Sequence, residues 1–506
     1  MPCCGRRLYN YRNIAMTSWS HGYPADSPYT FSYQDAPSPG NLALLCALMG
    51  VEWRPGPRMA MIDIGCGRGY TVNTLAAANP GWTLLGLDYS PAHIAEAAGL
   101  AERAQLENAT FIEADLAEMS DAEIDQLPEL DVASLHGVWT WVSDAVRAGI
   151  VRLLARRLKP GGLVYIGYNA LPGFGRDMAL QRLFRHLSRG HSGSSPSRAH
   201  ASLGTIRELH KTKPHNLPTT PLLERIADDS DPLSAAYLAH EFLTDHWRPA
   251  FFEDLLADLA PAKLDFVGSI GLHQNTPEYL FSEEQRAIYD SMPQGVMQEF
   301  FKDICLTRPF RRDVFVRGLR RCDATAAMDR QVIAARRTAP ETSPKLEVPV
   351  GVAELPEELW HPIAAALNEG PQSLARLRSL TPGRNPTAAE LATVLVGAGV
   401  VLPVLHDAGP NETITRFNRI VAETYANEGR QGGQYALASP VAASGLPCNW
   451  LEMAVAVRVG QGQTDAKTLL TELLPGIDPA ETGAAAQKIA KLIEANITIW
   501  RRFGVI

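Results

Sequence analysis

The chain has 506 residues, 46% of them apolar and 20% charged, and a formal net charge of -8. That length holds two or three domains at about 150 residues each, and the acidic balance excludes a general basic footprint for nucleic acid or anionic membrane. No run reaches the ~18 apolar residues that a bilayer span needs; the longest, Leu391 to Leu405, contains two Gly and a Pro and reads as a buried core segment.

Residues 1–15 show no periodicity, which makes Met16 an alternative start, and they lack the apolar stretch of a secretory signal. Seven cysteines are scattered without a CxxC pair, which argues against a zinc site or disulfide framework and fits a reducing cytoplasm.

The first strong pattern is "MAMIDIGCGRGYTVNTLAAANPGWTLLGLDYS", Met59 to Ser90. It reads as an apolar strand, a glycine turn, a helix, and a second strand ending in Asp88. A turn that a ligand's atoms can approach needs residues without a Cβ, here Gly65, Gly67 and Gly69. A dinucleotide fingerprint places its third small residue three after the second, and that position is Tyr70. A pyrophosphate reading is weakened accordingly. Asp88 can accept from ribose hydroxyls in either a nucleotide or a nucleoside cofactor.

The spacing Asp63-x-Gly-x-Gly-x-Gly resembles motif I of class I S-adenosylmethionine (SAM) methyltransferases. Further features follow in that family's order: a short strand closed by Asp115, an apolar strand ending at His136-Gly137, the helix "DAVRAGIVRLLARRL", and the turn and strand "LKPGGLVYIGYN". The resemblance implies a Rossmann-like seven-stranded sheet of α/β class with SAM as cofactor, and with no CxxC pair no metal is expected. It implies that Asp63 orients the cofactor's ammonium and Asp115 takes the adenine amine. Cofactor contacts are expected at Asp63, Gly65, Cys66, Gly67 and Gly69, at Asp88, Tyr89 and Ser90, at Asp115 and Leu116, and at His136.

Later segments complete the pattern. "WRPAFFEDLLADLAPAKLDFVGSIGL" reads as an amphipathic helix with Phe251, Leu255, Leu256 and Leu259 on one face, then a strand; "FRRDVFVRGL" alternates as an edge-paired strand. The methyltransferase domain is expected over 41–322 behind an N-terminal closing segment, 1–40, with insertions at about 174–236 and 275–309. Between Arg182 and Lys213 the first insertion has seven Lys/Arg against one acid. With only Phe184 as an aromatic companion it lacks the stacking platform of single-strand binders, so a solvated face or a dock for an acidic protein is preferred over nucleic acid. The second insertion reads as a dimer or lid element, which allows a homodimer. A linker is expected at 323–345. Beyond it a mainly α, loosely winged-helix-like domain, 346–506, carries 16 acidic and 12 basic residues and reads as a protein-contact domain.

"SPYTFSYQDAPSP", "HGVWTWV", "YNALPG" and "YLAHEFLTDHWRPAFF" resemble bacterial methyltransferases carrying a methyltransferase regulatory domain, a family that includes bacterial protein lysine methyltransferases. The likeness spans roughly residues 23–320. Two departures stand out: Ser38-Pro39 replaces a His-Pro pair, and Trp139 is followed by Thr140 rather than Ser.

A lysine acceptor must be neutral, and an aromatic channel eases its desolvation and attracts the methylated cation. Tyr29, Tyr33, Trp139, Trp141 and Tyr168 are candidates for that channel, with Trp141 the readiest to pack instead, and Asn169 is expected beside the substrate. His136 reads as a base or a loop-shaping residue. Tyr237 and His240, three apart, share a helical face and are placed with Tyr29, His136 and Tyr168 as catalytic candidates. His240-Glu241 does not form a zinc-protease motif, because His246 comes six residues after His240 rather than four. The resulting expectation is a cytoplasmic, non-membrane SAM-dependent methyltransferase acting on a protein lysine. Its alternatives are a small-molecule N- or O-methyltransferase or an inactive SAM-binding regulator, with an NAD-dependent dehydrogenase as the outsider.

Overall fold

The computed structural model describes residues 22–27, 29–228, 233–380, 386–427, 433–475 and 482–506. Met16, residues 1–15 and much of the expected closing segment lie outside them. Five apolar runs form parallel strands: β1 (Ala60–Ile64), β2 (Thr83–Asp88), β3 (Ala109–Glu113), β4 (Leu130–His136) and β5 (Leu158–Asn169). Helix α1 (Pro39–Leu48) precedes them, and α2 (Tyr70–Ala78), α3 (Pro91–Ala104), α4 (Asp121–Gln126) and α5 (Asp144–Arg157) connect them. Local signals set these boundaries. Ser90 and Ser143 cap α3 and α5 by accepting backbone N–H groups, and Ser120 with Glu123 forms a capping box on α4.

The chain then enters α6 (Met178–Arg189), α7 (Ser195–Lys211), α8 (Pro221–Ala227) and α9 (Ala235–Phe242). It returns through α10 (Phe252–Leu259) to β6 (Leu264–Ser269), and reaches β7 (Phe310–Arg317) by way of α11 (Glu283–Ser291) and α12 (Val296–Cys305). The sheet order is β3-β2-β1-β4-β5-β7-β6, with β7 antiparallel to both neighbours. Strand order reverses between β1 and β4, so ligands are expected at the carboxyl edge there.

Strand alternation divides the sheet between two cores. Met61, Val132, Leu163 and Tyr165 face one; Ile62, Ala133, Val164 and Tyr168 face the other.

Two compact units result. The smaller comprises residues 1–28 and 179–247, the larger 29–178 and 248–506. The smaller has its own apolar core, including Phe184, Leu203, Ile206, Leu223 and Phe242.

Within the larger unit the chain continues through α13 (Ala324–Asp329), β8 (Val332–Ala335), β9 (Leu346–Val348), β10 (Gly351–Ala353), α14 (Glu357–Glu369), β11 (Gln372–Ser373), α15 (Leu374–Ser379), α16 (Ala388–Gly397) and β12 (Val401–Val404). It ends with α17 (Glu412–Asn427), the hairpin β13 (Tyr435–Ser439) and β14 (Ser444–Cys448), α18 (Trp450–Gly460), α19 (Ala466–Leu473) and α20 (Thr482–Arg502). The stretch expected as a linker, 323–345, therefore holds a helix and a strand. β8 is the central strand between β11 and β12, and Ile333, Ala334 and Ala335 are fully buried. The expected mainly helical region also contains the hairpin β13–β14, all of whose β13 residues are buried, so no polar alternation marks it. Trp360, Phe417 and Trp500 of this region share one core with Met61 and Tyr165 of the sheet. Among the described residues no helix is long and apolar enough to cross a membrane.

Candidate functional site

β1 delivers the chain to the glycine turn, where two positions show what glycine does. Gly69 caps α2 at φ 73°, and a Cβ there would lie 2.4 Å from the Ala97 Cβ of α3. It thus permits close packing of the two helices. Gly67, at φ 53°, would meet nothing within 4 Å; its backbone is open to an incoming group. Tyr70 turns away from the ligand side and is buried, its hydroxyl accepting the Ala436 N–H at 2.9 Å.

Three carboxylates line this edge. Asp63 accepts from the Ser134 hydroxyl at 2.6 Å. Burial pushes its carboxyl up to about 7, with the Ser134 bond opposing the rise and the Asp88 charge adding to it. Asp88, at the end of β2, accepts the Gly67 N–H through Oδ2 at 2.9 Å and the Ser90 N–H through Oδ1 at 2.9 Å. The His93 ring approaches the same Oδ1 through Nδ1 at 3.3 Å. His93 Nε2 accepts the Tyr29 N–H at 3.4 Å, which places the ring proton on Nδ1, donating to Asp88. Tyr89 lies half-buried beside it, its phenol raised by burial and then by the Asp88 charge. Burial likewise raises the Cys66 thiol, with Asp63 and Asp88 adding to it. Asp115 accepts the Ala117 N–H at 2.9 Å, and Leu116 is buried beside it.

His136 ends β4. Its Nδ1 lies 2.7 Å from the Tyr165 hydroxyl, with the rings nearly parallel and the Phe310 ring edge-on at 5.5 Å. Burial, then the charge of Arg312, lowers its pKa to about 4, so the ring is neutral at pH 7. Ser134, Tyr165, His93 and Phe310 escape a reading of motifs alone. The two-residue spacing of Ser134 and His136 on β4 was the available signal for Ser134, since both face the same side as Asp63.

Several expected site residues lie elsewhere. Tyr168 is fully buried in the opposite core and donates from its hydroxyl to Asp313 at 3.0 Å; three residues from Tyr165, it must point through the other face. Tyr33 is buried against the hairpin, its hydroxyl accepting the Gly445 N–H at 2.9 Å. Trp139 packs in the Tyr168 core, with the Arg147 guanidinium 5.8 Å from its ring centroid and the Arg147 Nε donating to its carbonyl at 2.9 Å. Buried as they are, these three do not form an accessible aromatic channel. Trp141 is 8% exposed and Tyr29 38%. Asn169 is buried at the end of β5, its N–H donating to the Thr140 hydroxyl at 2.9 Å. In the smaller unit Tyr237 and His240 share α9 but not an environment: Tyr237 is exposed, whereas His240 is buried with its ring 5.4 Å from that of Tyr23. Among the described residues no group of three His, Cys, Asp or Glu side chains is placed to hold a metal.

The acids favour hydroxyl and amine donors and a cationic ligand. A pyrophosphate on this turn would meet Asp63 with like charge wherever that carboxyl is ionised, whereas Asp88 suits the ribose of either cofactor class.

Comparison with known proteins agrees. Residues 62–164 match the family model described as a methyltransferase domain, and residues 234–317 match the one described as a "Predicted methyltransferase regulatory domain". An uncharacterized protein of Synechocystis is 29% identical over 452 residues, 86% of this chain and 87% of its own length. A trans-aconitate 2-methyltransferase of Methylobacterium nodulans is 33% identical over 106 residues, 21% of this chain and 36% of its own. The solved structure of PKMT2 from Rickettsia typhi in complex with AdoHcy superposes with a TM-score of 0.69 at 15% identity, covering 94% of this chain and all of that one. At that identity the likeness is one of fold.

Proposed function

We propose that this chain, a class I SAM-dependent methyltransferase with a methyltransferase regulatory domain, methylates a lysine side chain of a protein. The observation that carries the acceptor reading is extent. The fold likeness to PKMT2 runs over 94% of the chain, whereas the sequence likeness to a small-molecule methyltransferase covers 21% of it. The sequence resemblance to bacterial protein lysine methyltransferases points the same way.

SAM supplies an electrophilic methyl on a sulfonium. The protein's part is to hold it, align the acceptor and keep water out, so most of the acceleration comes from proximity and orientation. In our reading Asp63 faces the cofactor's ammonium and Asp115 its adenine amine. Asp88 receives the ribose: a carboxylate has about four lone-pair directions, and the longest of its present contacts, to His93 at 3.3 Å, is the one a second hydroxyl displaces. His136, held by Tyr165, shapes the acceptor side. With SAM bound, a neutral lysine nitrogen would accept the methyl as the sulfonium's C–S bond breaks, leaving S-adenosylhomocysteine. The lysine's proton must leave first, at a cost of about 4.6 kcal/mol at pH 7 from a reference pKa near 10.4. A histidine lowered to about 4 is a poor resting place for that proton, so it passes to solvent.

The test is transfer of labelled methyl from SAM into a lysate of the source cells, fractionated into protein, nucleic acid and small molecules. Base-stable label mapped to lysine is the expected result. Label only in small molecules would replace the acceptor, and tight SAM binding without label in any fraction would favour a regulator.

A further inference from the structure

We propose that Tyr70 is a positioning residue through which the C-terminal hairpin β13–β14 sets the affinity of the glycine turn for SAM. Among the described residues β13 pairs only with β14 in its sheet. Its other edge therefore presents backbone groups at alternate residues, and a buried edge must find partners for them. Three successive outward positions are satisfied in three different ways. The Gln434 carbonyl accepts the Tyr33 N–H at 2.8 Å. The Tyr70 hydroxyl serves both groups of Ala436, donating to its carbonyl and accepting its N–H. The Asn418 amide serves both groups of Ala438, at 2.7 and 3.1 Å. Tyr70 thus does for the hairpin what a neighbouring strand would do.

Tyr70 is also the residue immediately after the last glycine of the turn. The turn and α2 are tied together by the Asn73 amide, which donates to the Gly69 carbonyl at 3.0 Å. The far end of α2 is pinned to the same hairpin, with Asn79 donating to the Ala443 carbonyl at 2.8 Å. Around Tyr70 the Phe31 ring stacks at 4.7 Å and the Tyr425 ring meets it edge-on at 5.6 Å. The turn cannot shift without unseating the hairpin, and the hairpin cannot loosen without releasing the turn. Because such coupling is reciprocal, a cofactor that orders the turn also tightens a hairpin that nothing yet places in contact with it.

Two measurements decide this. Tyr70→Phe keeps the ring and strands both Ala436 groups; SAM titration calorimetry should show the Kd raised about tenfold, with kcat at saturating SAM within about twofold. A side chain that merely stabilises the fold would not divide its effect in this way. Asn418→Leu, which opens the same edge without a hydrogen bond to α2, should weaken SAM in the same direction. In the unmodified protein, amide exchange at Ala436 and Ala438 should slow when S-adenosylhomocysteine is added. Exchange that is indifferent to the ligand would overturn the coupling even if Tyr70→Phe failed to fold. An unchanged Kd in a folded Tyr70→Phe would overturn it as well.

Discussion

Asp63 is an acid of the glycine-turn edge whose charge changes near neutrality. With a pKa of about 7 its carboxyl is mostly protonated at pH 6 and mostly ionised at pH 8. A cationic ligand beside it favours the ionised form, so SAM affinity should rise several-fold between pH 6 and about 7.5. It should then turn down as an α-amino group of ordinary pKa near 8 loses its proton. In the free protein the sign is opposite. The native acid holds its proton above the unfolded value of 3.8, so Asp63's own contribution to stability is fully present below about pH 4 and is lost as pH rises through 7. Asp63→Asn should flatten the rising limb of the binding curve, and a limb that survives would remove Asp63 from it. His136 gives a different expectation. Neutral above about pH 4, it should leave no inflection in kcat/KM between pH 5 and 9, while His136→Asn lowers kcat/KM by about 10²-fold through misplacement. An inflection near 6 that vanishes in the variant would make it a titrating base. The positions of the glycines and of the three acids at the carboxyl edge of the sheet were legible, because spacing places the glycine turn and Asp88 at strand ends and the family resemblance points to Asp63 and Asp115. The aromatic set was not. "LVYIGYN" contains two tyrosines, and only strand parity separates Tyr165, which meets His136, from Tyr168, which points into the core behind it.

At the scale of elements, α12 is held against β7 by buried charge. Arg311 donates to Asp313 at 2.6 Å, Asp303 at 2.7 Å and Glu299 at 2.9 Å, and Arg308 and Lys302 join the same carboxylates. Three cations thus balance three anions, all nearly out of solvent. Burial works to raise the Glu299 carboxyl, but Lys302, Arg311 and Arg308 outweigh it and hold it at about 2. Its contribution is therefore present above the unfolded value of 4.5 and lost as pH falls toward 2. Arg311→Met leaves carboxylates buried without their central partner and should cost about 3–5 kcal/mol, read as a lower urea midpoint; a loss under about 1 kcal/mol would mean the cluster is well solvated. Tyr168→Phe removes one hydrogen bond to Asp313 and should cost about 1.5–3 kcal/mol without changing SAM affinity, which distinguishes a core residue from a channel wall. Sequence order revealed the strands here, "FRRDVFVRGL" included, but not this cluster. Its members are strung over "EFFKDICLTRPFRRD" as apparently ordinary surface charges, and only the fold of α12 onto β7 brings them together.

The whole molecule falls into two compact units. The glycine turn, the three acids, His136 and the hairpin that braces Tyr70 all belong to the larger one. The smaller unit carries the Lys/Arg-rich α6–α7 stretch, Tyr237 and His240, and packs around a core of its own. Its boundaries were only approximate in the sequence, because α9 is no more amphipathic than helices of the sheet layer such as α10 and no linker composition marks the joins. The chain re-enters the larger unit by strand-like pairing: Ala250 donates to the Asn169 carbonyl at 3.1 Å, and Leu171 donates to the Ala250 carbonyl at 2.9 Å. Those bonds do not depend on residues 179–247, so replacing that stretch with a short Gly/Ser linker should leave SAM affinity within about threefold, since a flexible loop adds only ~0.6 kcal/mol of closure entropy per doubling of its length. If a protein lysine is the acceptor and the smaller unit recognises the protein around it, methyl transfer into protein should fall by two orders of magnitude or more in the shortened chain. Transfer that persists with intact SAM binding would assign acceptor recognition to the larger unit alone. Loss of SAM binding together with transfer would instead show that the smaller unit is needed to hold the carboxyl edge in shape.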